Sequence, residues 1–212
     1  MDARRFFAHV SLEPGRPQGF LHSTGVQTLP QSCTIAVVVV QVYWSQGAKN
    51  MSETSETLAF FRQGWQNYQQ QLSLALARLE PSQLALRAAP NLRSIDELAR
   101  HIISVRAGWF HFQLEEGAGE LSAFTTWAEP ESLPRSAEEL VSGLEKTWQV
   151  IQEVLGRSTL ADLQSTVQDE WEGQIYTLTR GWVIWHVMEH DIHHGGELAY
   201  SLGMHGLAAP DI

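Results

Sequence analysis

The sequence predicts an all-α fold, a bundle of four helices, from three observations. Four segments after Met51 carry apolar residues at helical spacing, two of them begin with a capping-box pattern, and prolines and glycines separate them. No set of strand-like alternating patterns is found in the same part of the chain. Because each such helix must bury its apolar face against a neighbour, the four together predict a helix bundle.

The first two helices are predicted over residues 58–79 and 94–116. Apolar residues at helical spacing define the first of them. The second begins with "SIDE", in which the Ser94 oxygen accepts a hydrogen bond from a free backbone amide and Glu97 reaches back to the start of the helix. Gly117 follows its predicted end, as glycine commonly follows a helix.

The third helix is predicted over 136–155, starting at "SAEE", and the fourth over 177–202. Gly156 and Gly203 follow their ends. The stretch 160–174 has a weak pattern and is predicted to be a loop with at most a short helical turn.

The domain organisation is predicted to be an N-terminal extension, residues 1–50, followed by a single domain, residues 51–212. The extension has a turn-rich stretch, "PGRPQG", and a short β-branched run, "CTIAVVVVQVYW", whereas "SETSETLAFF" after Met51 resembles a natural start leading into a helix. Two explanations are open. The extension is either a disordered appendage or the product of a start codon assigned upstream of the true one.

Composition limits the classes of function. The 212 residues and 23.8 kDa fit one domain, and the formal charge of −10 argues against binding to a nucleic-acid backbone. No apolar run approaches the ~20 residues of a membrane span. Cys33 is the only cysteine, which excludes an intramolecular disulfide and a thiolate metal cage and fits a reducing, cytoplasmic compartment.

A cluster of histidines lies in the fourth helix, in "HVMEHDIHHGG". With about 100° per residue, His194 lies about 40° from His190, and both fall within an apolar arc that contains Val187 and Leu198. Two histidines on a buried face are costly unless their nitrogens find partners, and one divalent cation satisfies both. The other two histidines of the cluster, His186 and His193, fall at the boundary or on the surface.

A third ligand is needed, and His101 on the second helix is the best candidate because Leu98, Val105 and Trp109 flank it on the helical wheel. Three imidazoles from two helices leave metal coordination positions open, as in catalytic or ligand-binding sites. The alternative is that these are ordinary helical histidines, since a two-histidine motif discriminates poorly.

The chain from about residue 51 to 206 resembles the DinB-like superfamily of four-helix metalloproteins. The resemblance rests on "SIDELARHI" in the second helix and "WHVMEHDIHHGGEL" in the fourth, which is similar to the family's histidine, three residues, then histidine followed by Arg-Gly-Gln. It implies an up-down bundle with a divalent metal, zinc, nickel or iron, held by His101, His190 and His194.

The resemblance also implies two classes of function. Some members transfer low-molecular-weight thiols such as bacillithiol, mycothiol or glutathione, so this chain is a candidate metal-dependent thiol transferase, with a metal-dependent hydrolase as the close variant. The alternative is a non-catalytic structural or ligand-sensing metalloprotein. Plentiful tryptophans favour a homodimer, and a small molecule is the expected ligand or substrate.

Three neighbours of the histidines have open roles. Gly195 stands where the family often has arginine, which puts the recognition of an anionic ligand by that arginine in doubt. Glu197, where the family often has glutamine, is either an acceptor for a ligating histidine or a surface carboxylate, and burial statistics favour the surface. Asp191 either accepts from an imidazole or pairs with Arg106.

Overall fold

The structure is a computed structural model that describes residues 56–171 and 173–210. Four long helices form the bundle: α1 over residues 56–76, α3 over Ile95–Gly108, α5 over Ala137–Arg157 and α7 over Arg180–Met204. Three short helices lie between them: α2 over Pro81–Leu84, α4 over Ala118–Leu121 and α6 over Leu160–Gln164. The predicted helix bundle is confirmed. The predicted extension, residues 1–50, lies outside the described residues.

Both predicted capping boxes are formed. Ser94 accepts a hydrogen bond from the Glu97 amide at 3.2 Å, and the Glu97 carboxylate accepts from the Ser94 amide at 2.8 Å. At the start of α5, Ser136 and Glu139 make the same reciprocal pair. These contacts fix where α3 and α5 begin, because each satisfies amides that have no partner within the helix.

The four long helices run up, down, down, up. α3 and α5 are parallel, since Asp96 near the start of α3 accepts from the Arg135 amide just before α5, and Arg106 further along α3 donates to the Leu144 carbonyl. α1 and α7 are parallel. Trp65 donates to Asp191, and Tyr68, further along α1, donates to the Ile192 carbonyl and lies against Gly195, further along α7. The parallel pair requires a crossover, and residues 114–136 with α4 provide it.

α3 and α7 run antiparallel, which determines how the histidines meet. At one end of the pair, Arg180 donates to the Leu114 carbonyl at 3.1 Å. At the other end, the His205 ring donates to the Arg87 carbonyl at 2.9 Å. None of the described helices has the length and apolar character needed to cross a membrane.

A β-hairpin precedes α7, with β1 over Thr166–Trp171 and β2 over Gln174–Thr179. The short helical turn allowed for residues 160–174 is present as α6, whereas the expectation of no strands was wrong. The hairpin is mostly exposed, so it lacks the apolar alternation by which half-buried strands are identified. Gly173 in the turn has a φ of 78°, a left-handed conformation that glycine adopts at low cost.

The α3 helix ends earlier than predicted. Its α-helical part stops at Gly108 and continues as one π-helical turn, Trp109–Gln113, in which the Leu114 amide donates to the Trp109 carbonyl at 3.1 Å. Gln113 anchors this turn to the hairpin through a 2.7 Å bond to Asp169. The insertion shifts the helical phase, and spacing in the sequence does not reveal it.

The core lies between the four long helices. Each helix contributes fully buried aliphatic side chains: Leu72 and Leu76 from α1, Ile95, Ile102 and Ile103 from α3, Leu140, Leu144 and Ile151 from α5, and Val183, Val187, Leu198 and Leu202 from α7. Burying such a side chain contributes about 1.5–3 kcal/mol. Apolar burial therefore supplies the main driving force for folding.

One ion pair is completely buried in this core. The Arg106 guanidinium donates from Nε to the Asp191 carboxylate at 2.8 and 3.0 Å, and its Nη2 lies 2.7 Å from Oδ2. The Trp65 indole donates to the same carboxylate at 2.7 Å, and Arg106 Nη1 donates to Gln69 at 2.6 Å. With the bond to the Leu144 carbonyl, the network joins all four long helices.

We predict that Asp191→Asn lowers the free energy of unfolding by about 3–5 kcal/mol, because it leaves the Arg106 guanidinium buried without a counter-charge. Urea unfolding of the metal-free protein measures this. The double variant Arg106→Met/Asp191→Leu is expected to lose much less, since it removes both charges. A single variant as stable as the parent would contradict the assignment of this pair to the core.

Candidate metal centre

α3 and α7 bring His101, His190 and His194 to one place. Each imidazole offers a ligand atom, and these atoms all lie within 4.8 Å of one another. The Nε2 atoms of His101 and His190 are 3.1 Å apart. The His194 ring stands nearly perpendicular to that of His101, with ring centroids 4.5 Å apart, and its centroid is 4.3 Å from that of His190. The three histidines selected from the sequence thus form one cluster.

Burial favours the neutral form of all three rings. Burial lowers the pKa of His101 to about 3, and the positive charge of Arg93 lowers it further. Burial also lowers the pKa of His190, which is flanked by the other two rings. For His194, burial lowers the pKa although Glu197 opposes the effect. Neutral imidazoles keep a nitrogen lone pair, which metal binding requires.

The cluster fits a divalent transition metal. Two nitrogens that bind one tetrahedral zinc at about 2.0–2.1 Å lie about 3.3–3.4 Å apart. The 3.1 Å between the His101 and His190 nitrogens is close to this separation. A hydrogen bond would satisfy only that pair, whereas a metal satisfies all three rings. His190 offers Nε2, because this is the nitrogen that faces His101, while its Nδ1 is buried without a partner in the described part of the chain.

Glu197 contacts the cluster from outside. Its carboxylate lies 2.7 Å from His194 Nδ1 and accepts a hydrogen bond when that nitrogen is protonated. This orients the His194 ring and leaves Nε2 as the donor to a metal. The Glu197 side chain is also half-exposed, as the sequence predicted. The sequence did not predict its contact with His194.

The structure resolves the two roles open for Asp191. Its carboxylate is bonded to Arg106 and Trp65 in the core and makes no hydrogen bond to an imidazole in the described residues. Asp191 therefore positions its helix neighbours, His190 above all, without touching a candidate ligand. The sequence could not decide this, because both partners lie within reach of the same helix face.

The other histidines of α7 lie outside the cluster, as predicted. His193 is exposed on the surface. His186 is half-buried, stacked on Trp182 with the planes 6° apart and in edge contact with Trp109. The aromatic group of Trp109, Trp182 and His186 was not foreseen, although the i, i+4 spacing of Trp182 and His186 was visible in the sequence.

Sequence reasoning also missed Arg93. Its positive charge is one of the causes that lower the pKa of all three clustered histidines, with burial the largest cause for each and the neighbouring rings ahead of Arg93 for His190. The backbone before α3 is held by a bridge between Arg87 and Ser94. Glu97 is already bound to Arg87 at 2.7 Å. No hydrogen bond or ion pair of Arg93 is found within residues 56–171 and 173–210.

The comparisons with known proteins identify the family. The model of the DinB family matches residues 51–212. The chain belongs to the DinB family. A DinB-like protein from Bacillus cereus ATCC 10987 has a similar structure, with a TM-score of 0.53 and 19% identity over 71% of this chain and 93% of that one. No sequence match is found among curated proteins.

A second solved structure has the same DinB fold. It is a protein assigned to the DinB family from Exiguobacterium sibiricum 255-15, with a TM-score of 0.53 and 19% identity over 74% of this chain and 94% of that one. At this identity the likeness establishes the fold alone. The function must therefore be argued from the residues of this chain.

The departure from the DinB pattern at Gly195 has a steric cause. A Cβ at this buried position would lie 1.8 Å from the Tyr68 hydroxyl and 2.8 Å from its Cζ. The phenol is fixed there by hydrogen bonds to the Asp191 and Ile192 carbonyls at 3.2 and 3.4 Å. Any side chain at this position would displace Tyr68. The arginine that the family often has here cannot be accommodated in this conformation.

We predict that the metal-free protein loses stability as the pH falls from about 6.5 toward 3. Unfolded histidines take up protons near pH 6.5, whereas folded His101 stays neutral to about pH 3. The stability that such a histidine contributes is therefore fully present above about pH 6.5. It is lost below this pH, by at most about 1.4 kcal/mol of unfolding free energy per pH unit for each such histidine.

Urea unfolding of metal-free His101→Gln across this pH range tests the prediction. The variant should show a shallower pH dependence than the parent, because glutamine does not titrate. His193→Gln, on the exposed side of the same site, is the matched control. Its unfolding free energy should change with pH more like that of the parent than like that of His101→Gln. Equal slopes for His101→Gln and the parent would contradict a neutral buried His101.

Proposed function

We propose that this protein binds one divalent transition metal, zinc, nickel or iron, through His101, His190 and His194. The observation that carries the proposal is the cluster of three neutral imidazoles from two helices, with ligand atoms within 4.8 Å. Imidazole ligands suit each of these metals, and supply and geometry select among them. Three protein ligands leave coordination positions for a small molecule.

We infer further that the protein is a transferase that uses a low-molecular-weight thiol. A divalent metal at this centre lowers the pKa of a bound thiol and supplies a thiolate at neutral pH. His101 and His190 hold the site from two helices, and Glu197 orients the His194 ring through the 2.7 Å contact to Nδ1. A cytoplasmic location would suit this chemistry, because thiols are kept reduced there.

Two opposite charges act on the site, those of Arg93 and Glu197, and the positive charge of Arg93 favours a ligand with an anionic group. The three histidines are neutral and bring no negative charge to the metal. Arg93 contributes a positive charge that acts on all three rings, and within the described residues the two carboxylates that follow it in sequence, Asp96 and Glu97, are bound to Arg100 and Arg87. A thiol that also carries a carboxylate would bind the metal through sulfur and Arg93 through the carboxylate. In this chain Arg93 thus supplies a cation that Gly195 cannot.

The alternative is a non-catalytic structural or ligand-sensing metalloprotein. Within residues 56–171 and 173–210, no hydrogen bond joins the three histidines to a serine, threonine or cysteine that could act as a nucleophile. An exposed apolar face on α7, containing Trp182, Trp185, Ile192 and Tyr200, favours a homodimer in this alternative. A metal-dependent hydrolase would differ from the transferase by turnover without a thiol.

We predict about one transition metal per chain in the purified, untagged protein, measured by elemental mass spectrometry. His101→Ala and His190→Ala should each lose it, because two imidazoles leave a weak site. His205→Gln, at the far end of α7, is the control and should keep the metal. A parent that takes up no zinc, nickel or iron after reconstitution would refute the proposed function.

For the transferase we predict that metal-loaded protein consumes a carboxylate-bearing thiol in the presence of epoxides or chloronitrobenzene. Arg93→Gln should raise KM for that thiol by about ten- to a hundredfold, since a hydrogen bond to a charged group contributes about 1.5–3 kcal/mol and about 1.4 kcal/mol is a factor of ten, and should leave metal content unchanged. A neutral thiol of similar size serves as the matched substrate and should show no such change. Thiol-independent turnover would favour the hydrolase, and no turnover the structural role.

A further inference from the structure

A second group of possible metal ligands adjoins the first. His193, His194 and Glu197 each offer one ligand atom, and these atoms also lie within 4.8 Å of one another. His194 belongs to both groups. The group of His101, His190 and His194 is called the inner group below, and the group of His193, His194 and Glu197 the outer group.

The two groups differ in their access to solvent. The side chains of His193 and Glu197 are 67% and 47% exposed, whereas that of His194 is 12% exposed. His101 and His190 lie deeper, and one nitrogen of His190 has no solvent contact. A cation that arrives from solution therefore meets the outer group before it meets the inner one.

His194 is placed to serve both groups. Its Nδ1 lies 2.7 Å from Glu197 Oε2, and its ring stands nearly perpendicular to that of His193 with centroids 4.7 Å apart. The same ring contacts His101 and His190 of the inner group. The two nitrogens of an imidazole lie on different edges, so one ring can bind a cation from either side.

The outer group has the chemistry of an acquisition site. Two imidazoles and one carboxylate are ligands that zinc and related metals accept. Glu197 supplies a negative charge at this site, and its carboxylate lies 3.6 Å from His193 Nε2. The outer group lies on a single helix face in contact with water, so it binds weakly. The inner group combines two helices and three neutral rings, so a metal is held more tightly there.

Resting on the proposed function, we propose that the outer group captures a divalent transition metal from solution and that His194 passes it to the inner group. His193 and Glu197 thereby determine how fast the site is loaded. His101 and His190 determine how tightly the metal is held.

The first test measures the rate of Co²⁺ or Zn²⁺ uptake by the metal-free full chain in a stopped-flow experiment. His193→Gln should load the metal more slowly than the parent, because the group that meets the solvent first has lost one of its three ligands. Its final metal content should equal that of the parent, because His193 is not in the inner group. His205→Gln is the matched histidine control and should load at the parental rate. An unchanged rate in His193→Gln overturns the proposal.

The second test isolates the outer group in the double variant His101→Ala/His190→Ala. Titration with Co²⁺ should detect weak binding that is lost when His193→Gln is added. No binding, or binding that His193→Gln leaves unchanged, overturns the proposal. These outcomes are distinct from failure of the proposed function, which is a parent that takes up no metal at the inner group.

Discussion

The buried contact between Arg106 and Asp191 is the constraint on which the rest of the structure depends. A carboxylate with no access to water must face its counter-charge, so Asp191 fixes the rotation of α7 about its own axis. His190 precedes it by one residue and His194 follows by three, which places both on the side that faces α3. The same contact ties α1 to this arrangement through Trp65. The candidate metal centre is thus oriented by a charge pair that it does not include.

The bundle and the histidine cluster could be predicted from the sequence because their signals are local and periodic. Capping boxes at Ser94 and Ser136 are complete within four residues, and both formed as expected. The inward direction of His190 and His194 follows from helical geometry alone. To predict that His101 lies close to His190 and His194, one must also assume that the apolar faces of α3 and α7 pack against each other. A helix bundle makes this assumption reasonable.

The features that were missed depend on contacts between distant residues. The hairpin has little buried surface, and the π-helical turn at Trp109 changes the phase without any sequence marker. Glu197 was assigned to the surface from its type, although exposure and a contact to His194 are compatible. Arg93 affects the pKa of histidines on α3 and α7 that come together only in the folded chain. Such relations become visible only in three dimensions.

The distance along the chain between His101 and His190 has a consequence for folding. The two rings are 3.1 Å apart although 89 residues separate them in sequence. Closing a loop of this size costs an unfolded chain on the order of 4–5 kcal/mol in conformational entropy. In the folded bundle the loop is already closed. A metal would therefore bind the folded chain more favourably than the unfolded chain by about that free energy. Metal occupancy would then report on folding itself, and the free metal concentration would set what fraction of the chains remains folded.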